Sequence, residues 1–142
     1  MWTPLPEISE TDHEHISSLW NDPHANKLSE TVHLVSQRNY APQLAVVIAL
    51  DYLSLTTALD YEDSHHVWHH PSISIRLAEG GSISIVYNPG GKGNVEATTR
   101  KIVPSPTEAA SIIDIIMLRM PHDTTEVERQ IAAFESRKKK QN

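Results

Sequence analysis

Between Ser72 and Tyr87 the chain alternates apolar and polar residues on either side of a glycine pair. Ile73, Ile75 and Leu77 interleave with Ser72, Ser74 and Arg76; Glu79-Gly80-Gly81-Ser82 supplies a turn; Ile83, Ile85 and Tyr87 resume the alternation. A period of two places each apolar set on one side of a strand, so this segment reads as a hairpin with one apolar face. Such a face must be covered. The cover is legible downstream, where Ser105-Pro106-Thr107-Glu108 gives an N-cap serine, proline at the first helical position and glutamate at the third. Ala109, Ile112, Ile113, Met117 and Met120 then recur at helical spacing, widened by Ile115, Ile116 and Leu118, until Pro121 ends the run. Burial stabilises by roughly 1.5–3 kcal/mol per large apolar side chain, so this helix is expected to be the main element lying on the sheet.

The remaining elements follow the same logic. Residues 1–8 contain Pro4 and Pro6 and read as an extended arm. Thr11-Asp12-His13-Glu14 has the form of a capping box, followed by Ile16, Leu19 and Trp20 on one face of a short helix that Asn21-Asp22-Pro23 terminates. Thr31 to Arg38, with Val32 and Leu34 in alternation, reads as a strand. Leu44 to Leu50 is continuously apolar, as in a strand buried on both faces. Leu53, Leu55, Thr57, Leu59 and Tyr61 alternate with more polar residues, and two strands are favoured over a single helix from Pro42 to Tyr61. Asn88 to Asn94 is a glycine-rich loop, and Val95 to Val103 a last strand. Beyond Pro121, Val127, Ile131 and Phe134 form the narrow stripe of a second helix ending in Arg137-Lys138-Lys139-Lys140. The expected fold is α+β: an antiparallel sheet of about five or six strands, a short N-terminal helix and two C-terminal helices, the first packed on the sheet. Strands do not alternate with long helices, which argues against a parallel doubly wound sheet. The 142 residues suit a single domain, with 1–8 as the arm and 139–142 as a basic tail.

Composition narrows the chemistry. The chain has no cysteine, which removes disulfides, thiolate metal sites and cysteine nucleophiles. Eighteen acidic residues against 12 basic ones give a formal charge of −6, which disfavours non-specific nucleic-acid binding and suits a basic protein partner. The N-terminal residues lack a basic and then apolar leader, and no apolar run reaches the ~18–20 residues of a membrane helix, so a cytoplasmic protein is expected, with neither nucleic acid nor membrane among its partners.

The most conspicuous cluster is His65-His66-Val67-Trp68-His69-His70. On a strand, His66, Trp68 and His70 share one face. Two such imidazoles can ligate Zn²⁺ only if a third ligand arrives from elsewhere, with Glu62, Asp63 or His33 as candidates. The favoured reading is a polar segment without metal or other cofactor. Glu62, Asp63, His66, Trp68 and His70 are then partner-binding candidates, and a metal-binding enzyme or sensor using His66 and His70 is the alternative. Asp12-His13-Glu14-His15 reads as capping, since His13 and His15 leave a helix in different directions. Lys92 in the glycine-rich loop is followed by Gly93 and a strand, unlike a phosphate-binding loop. Asp51 and Asp60 read as strand ends rather than as an acid–base pair. No H-E-x-x-H, G-x-S-x-G or dinucleotide-binding pattern occurs, so no catalytic residue is assigned.

From Val32 to about Met120 the order of elements resembles the Imm1 class of bacterial polymorphic-toxin immunity proteins. The resemblance rests on Pro42-Gln43-Leu44-Ala45-Val46 entering a central strand, Leu53-Ser54-Leu55 in the next, and Val103-Pro104 before a helix containing Glu108-Ala109-Ala110. It departs after that helix, where the family tends to end in a short Trp-containing strand and Thr125 to Lys140 reads as a helix. The resemblance implies a small, acidic, non-catalytic protein that plugs a toxin's active site. The expected function is therefore a protein-binding module, in its sharpest form an inhibitor or immunity protein that occludes a partner. A structural subunit of a larger assembly, such as a virion, is the further alternative, because Ile112 to Leu118 carries more apolar surface than one sheet face covers.

Overall fold

The computed structural model describes residues 2–49, 52–57, 71–89, 99–119 and 124–141. Among them, strands β1 (Trp2–Pro4), β2 (Ala45–Ile48), β3 (Leu53–Thr56), β4 (Ser72–Leu77), β5 (Ile83–Asn88) and β6 (Thr99–Val103) form one sheet in the order β1-β2-β3-β4-β5-β6. Every neighbouring pair is antiparallel. Helices α1 (Glu10–Ser17) and α2 (Asn26–Ser36) lie between β1 and β2 in the chain, and α3 (Pro106–Arg119) and α4 (Thr124–Gln141) follow β6. The α+β class, the antiparallel sheet and the helix packed upon it are as expected.

The sheet register assigns the faces. Leu53 is opposite Ile75, Ile75 opposite Ile85, and Leu77 opposite Ile83, which faces Val103. With Leu55, Ile73 and Tyr87 these residues form the first face, and all but Leu77 are buried. Helix α3 covers it with Ala109, Ile112, Ile113 and Ile116, each 1% exposed or less. Ser105 caps this helix, its Oγ accepting the Glu108 N–H. Among the described residues, α4 adds buried Ile131 and half-buried Phe134, and its Lys138 and Glu135 pair with Glu108 of α3 and Lys101 of β6.

The N-terminal third differs from expectation. Residues 31–38 are not a strand: α2 runs from Asn26 to Ser36. Leu28, Val32 and Val35, at helical spacing, are fully buried, and Leu34 is only partly so. The apparent Val32/Leu34 alternation was the overlap of a core position with a flanking one. Thr31, a β-former, is accommodated because its hydroxyl donates to the Lys27 carbonyl at 2.8 Å. Helix α2 packs on both α1 and α3. It thereby covers part of α3 that the sheet leaves free, and among the described residues of that stripe only Leu118 stands exposed, at 78%.

Helix α1 begins two residues before the expected box. Ser9 is the N-cap: its Oγ accepts the Asp12 N–H at 3.1 Å, and Asp12 Oδ2 accepts the Ser9 N–H at 2.9 Å. The N-terminal arm is partly strand, with Trp2 opposite Val47 and Pro4 opposite Ala45. Leu5, fully buried, donates its N–H to the Leu44 carbonyl at 2.9 Å. All four residues of β2 and all four of β3 are buried, which accounts for the unbroken apolar run at 44–48.

Candidate functional site: an open cationic sheet face

The second face of the sheet is divided. Ala45, Val47, Ser54, Thr56 and Ser72 on it are buried. Toward β6 it opens into a hollow of about 450 Å³. Register fixes what this open part displays. Arg76 of β4 lies opposite Ser84 of β5, which lies opposite Ile102 of β6; in the adjacent row Ser74 lies opposite Val86, and Val86 opposite Arg100. The result is a two-by-three grid with guanidiniums at diagonal corners and Ser84 and Val86 between them. Strands ~4.8 Å apart and a rise of ~3.4 Å per residue put the two arginine Cα atoms about 12 Å apart.

Arg76, Arg100 and Ile102 are exposed, Ile102 to 59%, while Ser74, Ser84 and Val86 are half-buried. Ser74 Oγ is within 3.0 Å of Ser54 Oγ, which anchors that corner to the buried part of the face. Among the described residues neither arginine pairs with a carboxylate, and none of the residues lining the hollow is acidic. A chain of net charge −6 thus carries a locally positive, partly apolar surface. Among the described residues lining the hollow there is no imidazole or carboxylate beside Ser74 or Ser84. The described lining offers two planar guanidinium forks, suited to oxyanions, flanking aliphatic surface.

Two other clusters lie on the helical side. His13 of α1 has its Nδ1 3.2 Å from Ser29 Oγ, and its ring meets His33 of α2 edge-on at a centroid distance of 5.5 Å. Burial, and then the neighbouring His33, hold the His13 pKa below its usual range, against opposing contributions from Asp12 and the Ser29 contact. His33 is therefore a helical residue paired with His13, not a ligand delivered by a strand. The second cluster joins the end of α2 to α3 through Arg38, Tyr40 and Asp114, beside a hollow of about 350 Å³ that Met117 and Leu118 also line.

Glu62, Asp63, His65, His66, Trp68 and His70 lie outside the described residues, as do Asp51, Asp60 and Lys92, while Asn88, expected to open the glycine-rich loop, is the last residue of β5. Among the described residues no three His, Asp or Glu side chains gather in a way that holds a metal ion. No described helix is long and apolar enough to cross a membrane.

Sequence reasoning passed over Arg76, Arg100 and Ile102. The available signal was in β6: Ile102 shares a strand phase with Arg100, so a large aliphatic residue occupies the polar, outward phase. Comparison of the chain with protein-family models, curated proteins and solved structures finds no match.

Proposed function

We propose that this chain is a non-catalytic protein-binding module that engages its partner through the open part of the sheet at β4–β6. One observation carries this reading: the sheet buries its first face, Leu77 aside, under helices, yet no described residue covers an aliphatic and cationic patch centred on Val86 and Ile102 on the second. Uncovered aliphatic surface rimmed by charge is characteristic of interaction sites. The small size, the acidic balance and the resemblance to immunity proteins support an inhibitor that works by occlusion. The net charge favours a basic partner at long range, whereas the described patch has the opposite sign.

The test is cross-linking capture from the source cell with the wild-type chain and with Ile102→Ser. The proposal expects one dominant partner, cross-linked to β4–β6, that is lost from the variant while its melting midpoint stays within about 2 °C of wild type. Retention of the partner by a folded Ile102→Ser protein, or cross-links confined to the helical side, would overturn it.

A further inference from the structure

We infer that the open face recognises an extended acidic protein segment carrying two carboxylates four residues apart, with an apolar side chain midway between them. This deepens the protein-binding proposal above and rests on it. The geometry follows from the grid. Arg76 and Arg100 stand at opposite corners, about 12 Å apart, and Ser84 and Val86 flank the midpoint between them, with Ile102 alongside. In an extended segment, residues i, i+2 and i+4 point to one side, and i to i+4 spans about 13 Å. A Glu-x-Leu-x-Glu pattern therefore sets one carboxylate on each guanidinium and the leucine between Ser84 and Val86, within reach of the valine.

Charge complementarity decides the occupant. Both guanidiniums are exposed and without a carboxylate among the described residues. Carboxylates accept two parallel N–H donors from arginine, so the pair fixes register as well as attraction. Single-stranded nucleic acid presents phosphates too, but it gains much of its affinity from bases stacked on aromatic rings. No aromatic side chain lines this hollow among the described residues, and the chain as a whole is acidic.

The experiment titrates the full chain with three probes, followed by backbone amide NMR shifts. The probes are the blocked peptides Thr-Glu-Thr-Leu-Thr-Glu-Thr and Thr-Gln-Thr-Leu-Thr-Gln-Thr, and a thymidine oligonucleotide. The glutamate peptide is expected to shift β4, β5 and β6 amides and to bind at least tenfold more tightly than the glutamine peptide, with the advantage falling as salt rises. The Arg76→Ser/Arg100→Ser double variant should abolish that difference. Glutamate and glutamine peptides of equal affinity, shifts outside β4–β6, no binding at millimolar peptide, or tighter binding of the oligonucleotide to the same strands would each overturn the inference. The captured partner separates the two claims. If Ile102→Ser loses it and the folded double arginine variant keeps it, the protein-binding proposal stands and the acidic-segment inference falls.

Discussion

Tyr40 donates its hydroxyl to Asp114 Oδ1 at 2.6 Å, joining the segment after α2 to the middle of α3. Arg38 Nε donates to the same oxygen at 3.2 Å. Burial, followed by the bond to Asp114 and that carboxylate's charge, holds the Tyr40 hydroxyl well above the usual tyrosine range, with Arg38 opposing. The phenol is therefore a permanent donor at any physiological pH. Tyr40→Phe leaves a half-buried carboxylate short of a donor and should cost about 1–2 kcal/mol in urea unfolding. Tyr87→Phe is the contrast. Its hydroxyl is buried without a partner among the described residues, so removing it should be neutral or stabilising in the same assay. Equal losses at the two sites would show that the Asp114 bond contributes nothing specific.

The β4–β5 turn uses its two glycines for different reasons. Both are left-handed, with φ of +77° at Gly80 and +80° at Gly81. A Cβ on Gly80 would meet nothing within 4 Å, whereas one on Gly81 would lie 2.8 Å from the His24 ring. Gly80→Ala should cost only the backbone term of about 1–2 kcal/mol. Gly81→Ala should cost measurably more, and His24→Ala in the same chain should recover the excess but not the backbone term. A double-mutant cycle in thermal unfolding reads this directly. Additivity of the two changes would show that the ring moves aside freely.

Acid should loosen the contact between α1 and α2. The folded state holds His13 below its ordinary value of 6.5, chiefly through burial and His33. The unfolded chain consequently binds a proton at higher pH than the folded one, and stability falls as pH drops through about 6.5 toward the lowered folded value. Melting midpoints measured between pH 7.5 and 5.5 should decline less steeply for His13→Gln than for wild type. Identical slopes would show that His13 does not carry the acid sensitivity.

How much of this was legible depends on whether the deciding information was local. Strands β4 and β5 and helix α3 could be read because period, turn glycines and the Ser105 cap all agree within a short window. Helix α2 could not, because Thr31, Val32 and Val35 are β-branched and Val32/Leu34 mimic alternation; the packing of α2 against α3 overrides that propensity. The first cap was displaced because Ser9 and Thr11 both begin acceptable boxes, and only the extended backbone at Ser9 distinguishes them. The open face was illegible for a different reason. Arg76 and Arg100 belong to strands that are not neighbours, and their diagonal exists only once both β4–β5 and β5–β6 registers are known.

Sheet order that copies chain order has a kinetic meaning. Strands β2 to β5 each pair with the next described strand in sequence, so ordering can pass from neighbour to neighbour with little loop entropy lost at each step. Strand β1 is the exception, because α1 and α2 separate it from β2. Its three residues have no ladder to join until that helical excursion has folded back over the core. Trp2–Pro4 is therefore placed to close last and to open first, a latch whose release leaves the strand order β2 to β6 intact.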